Sequence, residues 1–204
     1  MSKVAFVDVQ NTETTVQKWL SFSINWQTLV SFLQTEWRCE HVYFYLGIQQ
    51  GDTVRAQEFD NLKSNDVTVR PKYYYVHKVS DKTVNTGCPI CSQKITVKVD
   101  MGYTWKCNCD VELTADVLDH AEPGVEMYLF SGDGDFEFLI DKVLSKGTTL
   151  VSIVSTSKAR TIAGRSEYRL SKKLKKMTKN KSVKILEIDN IKKRIESGAV
   201  ISTP

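Results

Sequence analysis

The stretch that most constrains this chain is a short apolar run that ends in two acids. Met127-Tyr128-Leu129-Phe130 reads as a buried strand and is followed at once by Ser131-Gly132-Asp133-Gly134-Asp135-Phe136. Beyond the turn, Phe138, Leu139, Ile140, Val143 and Leu144 recur at helical spacing, so the hexapeptide joins a strand to a helix. In an open α/β sheet such a turn lies at the carboxyl edge, where ligands bind, and Gly132 and Gly134 allow close approach of backbone or substrate. Facing carboxylates without adjacent bases suit a hard cation such as Mg²⁺ or Mn²⁺. The same residues also serve simpler ends, because Asp caps helices and Gly-Asp-Gly makes turns.

The alternation continues along the chain. Lys3 to Asp8 has the form of a buried parallel strand ending in a carboxylate, with Asn11 three residues on. The polar, threonine-rich stretch to about Ser23 reads as a loop bordering the site. Asn25 caps a helix whose apolar face is Trp26, Leu29, Val30, Phe32 and Leu33. His41 to Leu46 is a second strand, Asp52 to Leu62 a surface helix, and Val67-Thr68-Val69 the start of a third strand that Pro71 interrupts. Asp110 opens a helix carrying Leu113, Val117 and Leu118. Leu150 to Val154 and Val183 to Ile188 are later strands, Asn190 to Glu196 is a short terminal helix, and the residues beyond it fray. Strand and helix in turn predict an α/β fold with a mainly parallel sheet and helices on both faces.

Five cysteines interrupt this order. Cys88-x-x-Cys91 and Cys107-x-Cys109 have metal-ligand spacing, and four thiolates around Zn²⁺ make a closed structural site; four reduced, packed thiols are the alternative. Between the pairs Ile95 to Val99 alternates at period two, Met101-Gly102 turns the chain, and Tyr103-Thr104-Trp105 returns it. The expectation is a zinc-ribbon-like β-hairpin insertion at 86–109, inside one domain spanning 1–200. Cys39 reads as a small packed side chain.

The net charge of +4 is concentrated late in the chain. In the basic segment 158–184, eleven lysines and arginines are interrupted only by Glu167, and Leu170, Leu174 and Met177 form a thin apolar stripe, which suggests a helix with a basic outer face. Such a face neutralises phosphates. No apolar run reaches the length of a spanning helix, and Asp8 cuts short the N-terminal run Val4 to Val7, so the expectation is no membrane partner and a cytoplasmic location.

Three separated segments thus deliver acids to one sheet edge: Asp8, Asp110, and Asp133 with Asp135. Like charges gathered there repel unless a divalent cation or a proton intervenes. A cation held this way activates water and stabilises charge on a phosphodiester. His41, His77 and His120 lack metal-ligand spacing and an adjacent nucleophile motif, and neither a G-x-x-x-x-G-K-[ST] loop nor a G-x-G-x-x-G fingerprint is present.

The segments Val4-Ala5-Phe6-Val7-Asp8-x-x-Asn11, Lys106 with Asp110-Val111-x-Leu113-x-x-Asp116-x-Leu118, and Leu129-x-Ser131-Gly132-Asp133-Gly134-Asp135-Phe136 resemble the NYN branch of the PIN-like nucleases, in the family's order. The resemblance implies a Rossmann-like (PIN-like) sheet and metal-dependent ribonuclease activity. It implies Asp8, Asp110, Asp133 and Asp135 as ligands of catalytic Mg²⁺ or Mn²⁺, Asp116 as a further acid, and Asn11 as the residue that orients Asp8 or substrate. The cysteine insertion, and one extra residue between Lys106 and Asp110, depart from the family pattern. With RNA as partner, Lys158, Arg160, Arg165, Arg169, Lys172 and Lys173 become candidate backbone contacts, and Tyr73, Tyr74, Tyr75, Tyr103 and Trp105 include candidates for stacking on unpaired bases. Two rivals stand beside the nuclease. A haloacid dehalogenase-type phosphatase needs an acid where Gln10 stands, and a non-catalytic RNA-binding module needs only the scaffold. Monomer and homodimer both fit the sequence.

Overall fold

The structure, a computed structural model, describes residues 2–197, so the expected fraying lies almost wholly outside the described residues. In chain order the elements are β1 (Lys3–Asp8), α1 (Val9–Trp19), α2 (Trp26–Thr35), β2 (His41–Ile48), α3 (Thr53–Asp60) and β3 (Val67–Tyr73). Four short strands follow: β4 (Tyr75–Lys78), β5 (Lys82–Gly87), β6 (Lys94–Val99) and β7 (Tyr103–Lys106). Then come α4 (Asp110–Asp119), β8 (Glu126–Phe130), α5 (Glu137–Ser145), β9 (Leu150–Ser155), β10 (Ala159–Ile162), β11 (Arg165–Tyr168), α6 (Lys172–Met177), β12 (Val183–Glu187) and α7 (Lys192–Ile195).

Six strands form a parallel sheet in the order β12-β9-β8-β1-β2-β3. The expected α/β architecture is therefore present. Alternation along β1 shows how the layers are held: Ala5 and Val7 pack with α1 and α2 on one face, while Val4 and Phe6 pack with α4 and α5 on the other. The chain builds β1, β2 and β3 outward on one side and β8, β9 and β12 on the other. The order reverses between β1 and β8, and at the carboxyl ends of such a pair the crossovers part and leave a crevice. Asp8 ends β1 and Ser131 follows β8 there.

Four sequence expectations need correction. The threonine-rich stretch after Asp8 is helical over Val9–Trp19, because its polar residues satisfy themselves inside the fold. Thr12 is buried with its hydroxyl donating to the Phe130 carbonyl at 3.1 Å, and the buried Thr15 hydroxyl donates to the Asn11 carbonyl at 2.8 Å. Pro71 does not interrupt β3, which runs through it opposite Leu46; β3 is the sheet's edge, where a residue without an N–H leaves no neighbour unpaired. The basic segment is not one helix but an antiparallel β10–β11 hairpin followed by the short α6. Only Arg160 and Arg165 lie on its strands, while Lys172, Lys173, Lys175 and Lys176 lie on α6.

The insertion also pairs differently from expectation. β7 returns on β4 and β6 on β5, giving two stacked tiers of ribbon that project from the end of β3. Cys88 and Cys91 lie in the turn at the outer tip, and Cys107 and Cys109 lie at the base, with their sulfurs 3.9 Å apart. Among the described residues the four thiols do not form one metal-binding group. No helix among those residues is long and apolar enough to cross a membrane.

Candidate functional site

The crevice at the strand-order reversal is a pocket of about 240 Å³ lined by Asp8, Asn11, Asp110, Asp133 and Arg169, with Cys107 and Cys109 on its rim. Each side chain is delivered by a different local device. Asp8 caps α1, its Oδ1 accepting from the Asn11 backbone N–H at 3.1 Å. Its other oxygen accepts from the Ser131 hydroxyl at 3.2 Å, and the Asp133 N–H donates to that same hydroxyl oxygen at 3.2 Å. Ser131 therefore ties the ends of β1 and β8 together. Asn11 repeats the tie one layer out, where its Oδ1 accepts from the Gly132 N–H at 3.1 Å.

Asp110 is the first residue of α4 and projects from the opposite wall; its backbone N–H donates to Asn108 Oδ1 at 2.7 Å, which fixes the start of the helix. Asp133 accepts from the Asp135 N–H at 3.0 Å. Asp135 is exposed at the rim, near enough for its charge to act on Asp110.

The electrostatics follow from burial and crowding. Burial pushes the Asp8 carboxyl up to about 6; hydrogen bonds from Asn11 and Ser131 oppose the shift, and the charges of Asp110 and Asp133 add to it. Asp110 is likewise raised, first by burial and then by Asp133 and Asp135, with Asn108 pulling the other way. The pocket's cation is Arg169, whose Nε donates to Thr15 Oγ1 at 3.2 Å. Burial lowers its pKa, while Asp8 and Asp133 hold the charge on.

Arg169 reaches the pocket because residues 169–171 cross directly over the acidic turn. The Ser171 N–H donates to the Gly132 carbonyl at 2.9 Å. A Cβ on Gly132 would collide with the Arg169 carbonyl oxygen and lie 2.8 Å from Ser155 Oγ, and one on Gly134 would collide with Ser171 Oγ. The two glycines are required by this crossing rather than by backbone torsion.

The remaining expected site residues are dispersed. Asp116 is not in the pocket: Arg70 Nε and Nη2 donate to its two oxygens at 3.0 and 2.9 Å, and the Tyr45 hydroxyl donates to it at 2.8 Å. Its carboxylate bolts α4 to β2 and β3. Lys158 pairs with Asp189, and Arg160 donates to the Lys18 carbonyl. Arg165, Lys172 and Lys173 are exposed on β11 and α6. Both Arg160 and Arg169 lie against the Trp19 ring, at 5.9 and 5.4 Å from its centroid, and Trp19 Nε1 donates to the Glu167 carbonyl at 3.4 Å. This packing docks the β10–β11 hairpin on the end of α1.

Sequence reasoning missed Ser131 as the tether of Asp8, and missed Tyr45, Gln10, Thr14 and Asn108 in the lining. The paired glycines signalled a close approach but not its occupant.

An all-oxygen set of carboxylates fits a hard cation, which would offset the burial that chiefly raises these carboxyls and the smaller repulsion between them. Among the described residues no three acids, cysteines or histidines stand close enough to enclose an ion. That openness suits Mg²⁺, which binds through one or two carboxylates and retains several waters.

Residues 3–168 match the model of the NYN domain. A stretch of 54 residues is 41% identical to the Low amplitude and bright protein LabA of Synechococcus elongatus, covering 26% of this chain and 28% of that protein. The chain thus aligns with under a third of the length of this curated relative. The crystal structure of VPA0982 from Vibrio parahaemolyticus, a protein of unknown function, superposes with a TM-score of 0.59 at 18% identity over 96% of both chains. That likeness concerns the fold alone.

Proposed function

The chain belongs to the NYN domain family, and from that premise we propose that it is a metal-dependent ribonuclease whose working site is the pocket between β1 and β8. The observation that carries the reading is the convergence of Asp8, Asp110 and Asp133 from three distant segments on one crevice that also holds Arg169. Asp8, Asp110 and Asp133 would hold Mg²⁺ or Mn²⁺, one or two of them directly and the rest through its waters, with Asp135 at the rim, and the ion would supply an activated water and charge stabilisation at phosphorus. Asn11 and Ser131 keep Asp8 and the turn in register. Arg169, half-buried and anchored on Thr15, presents a fixed guanidinium to a phosphate oxygen beside the acids. Asp116 acts indirectly, by fixing the helix that carries Asp110.

Zinc has a separate and structural place in this reading. Cys107 and Cys109 would hold it at the ribbon's base, and Cys88 and Cys91, at the opposite end of the ladders, would complete the set only if the ribbon folds back on itself. The sulfurs of Cys107 and Cys109, 3.9 Å apart, stand close to the ~3.8 Å that two thiolates take on one tetrahedral zinc. At the tip, backbone N–H groups of Cys91 and Ile90 bond the Cys88 sulfur and lower its pKa, as a thiolate knuckle requires.

The test is Asp133→Asn. With Mn²⁺ present, the parent protein is expected to cleave RNA and the variant to retain RNA binding while losing cleavage by at least about a hundredfold. Binding without cleavage by the parent would favour the non-catalytic RNA-binding reading instead.

A further inference from the structure

The projecting ribbon is unlike the rest of the molecule, because none of its residues from Tyr75 to Lys106 belongs to either apolar core. Large rings nevertheless stand on it in the open. Trp105 is 54% exposed and Tyr103 69%, and among the described residues neither stacks on another ring.

Register places these two rings together. In the antiparallel β4–β7 pair Val76 lies opposite Trp105 and Lys78 opposite Tyr103, so the four share one face while Tyr75 and His77 occupy the other. Lys78 Nζ sits 5.1 Å from the Tyr103 ring centroid. Two residues after Trp105, in the same alternation, comes Cys107, which lines the acidic pocket. Trp105 is thus roughly 7 Å along the chain from the pocket rim and Tyr103 roughly 7 Å further.

The ribbon's charge has the sign a polyanion needs. Residues 72–106 carry six lysines against two aspartates, and the pocket they adjoin is acidic. Phosphates are therefore attracted to the flank, whereas the pocket's own acids need a cation before they accept one.

Resting on the ribonuclease reading, we propose that the Tyr103–Trp105 face of β7 is a stacking platform for unpaired bases, and that the substrate is single-stranded RNA led from this platform into the pocket. Flat exposed rings accept any base face, and paired bases within a helix offer them none. The arrangement makes strandedness the property selected, without a sequence code.

The experiment uses the full chain carrying Asp133→Asn, so that RNA is held without being cut, with a fluorescent oligouridine as probe and a duplex of the same length as the comparison. Adding Trp105→Ala or Tyr103→Ala is expected to weaken oligouridine binding roughly tenfold and leave duplex binding unchanged, and Trp105→Phe to restore most of the loss. Quenching of tryptophan fluorescence by oligouridine is expected to fall when Trp105 is removed, since it is the exposed indole next to the pocket. Equal oligouridine affinity with and without Trp105 overturns the platform and leaves the ribonuclease reading standing. An equal loss for single strand and duplex also overturns it, because charge or structure would then be responsible. Failure of the parent to bind oligouridine at all overturns the platform and the ribonuclease reading together.

Discussion

The pocket and the ribbon place functional side chains by opposite means. At the pocket the chain is over-determined: Asp8, Asn11, Ser131 and Asp133 are linked by backbone-to-side-chain hydrogen bonds, set on the inner strands of a six-stranded sheet and closed by residues 169–171. The ribbon has its ladder bonds and a few exposed side-chain contacts, such as Thr96 Oγ1 donating to Asn85 Oδ1 at 2.9 Å, with Val84, Ile95, Val97 and Val99 each around 40% exposed. A two-stranded ribbon without a core is marginal in water and holds its shape only with a staple. Rigid geometry is thus kept where carboxylates must meet, and compliance is left where an irregular strand must be accommodated.

Substituting one glycine in each region gives the sharpest contrast. Gly132→Ala forces a methyl group against the Arg169 backbone, which cannot retreat while Ser171 bonds the Gly132 carbonyl, and is expected to cost about 3 kcal/mol in denaturant unfolding. Gly87→Ala, in the ribbon, meets nothing within 4 Å and is expected to change stability by no more than about 0.5 kcal/mol. Similar losses at both positions would mean that the crossing over the acidic turn is not tight.

The half-buried Asp8 supplies a slightly smaller effect with a definite sign. The folded-state pKa of Asp8, about 6, lies above its unfolded value near ~3.9, so its neutral form is the one that folding favours. The associated stability is complete below about pH 4 and is lost as pH rises through about 6. Without divalent metal, Asp8→Asn is therefore expected to stabilise the protein by roughly 2 kcal/mol near neutral pH and by almost nothing near pH 4. Added Mn²⁺ should stabilise the parent and not the variant. Chelator-treated unfolding curves at the two pH values decide it, and a variant less stable than the parent at neutral pH would show that the Asp8 hydrogen bonds outweigh its desolvation.

The same contrast explains what could be read from the sequence. Periodic apolar runs made the six sheet strands legible, and an acid at the end of each of two such runs made Asp8 and Asp133 legible, because strand ends and capping turns are local events. Arg169 was visible only as one of eleven cations; its place beside Asp8 depends on a chain crossing more than 150 residues away in sequence. Asp116 misled for the converse reason, since a motif position on α4 does not reveal that Arg70, on β3, holds both its oxygens. Helix α1 was hidden by composition, for Thr12 and Thr15 are buried polar residues whose partners are backbone carbonyls. In the ribbon the spacing of the cysteines was plain, whereas strand pairing was not, because alternation tells which face a residue takes and not which neighbour it meets.

The smallest global effect is expected where the local one is large. Cys88→Ser removes a proposed zinc ligand at the ribbon tip, far from either core, so the unfolding free energy of the whole chain should move by no more than about 0.5 kcal/mol. Hydrogen exchange should tell a different story. Amides of β5 and β6 lose the staple that keeps their ladder closed and should exchange freely, while those of β1 and β8 remain protected, with stoichiometric zinc lost from the protein. At the other end of the ribbon Cys109 directly precedes Asp110, so Cys107→Ser should loosen the helix start that carries a pocket acid, and metal affinity at the pocket should then fall several-fold. If β5 and β6 keep their protection without zinc, the ribbon is held by its ladder alone, and the two regions differ in exposure but not in how they are fastened.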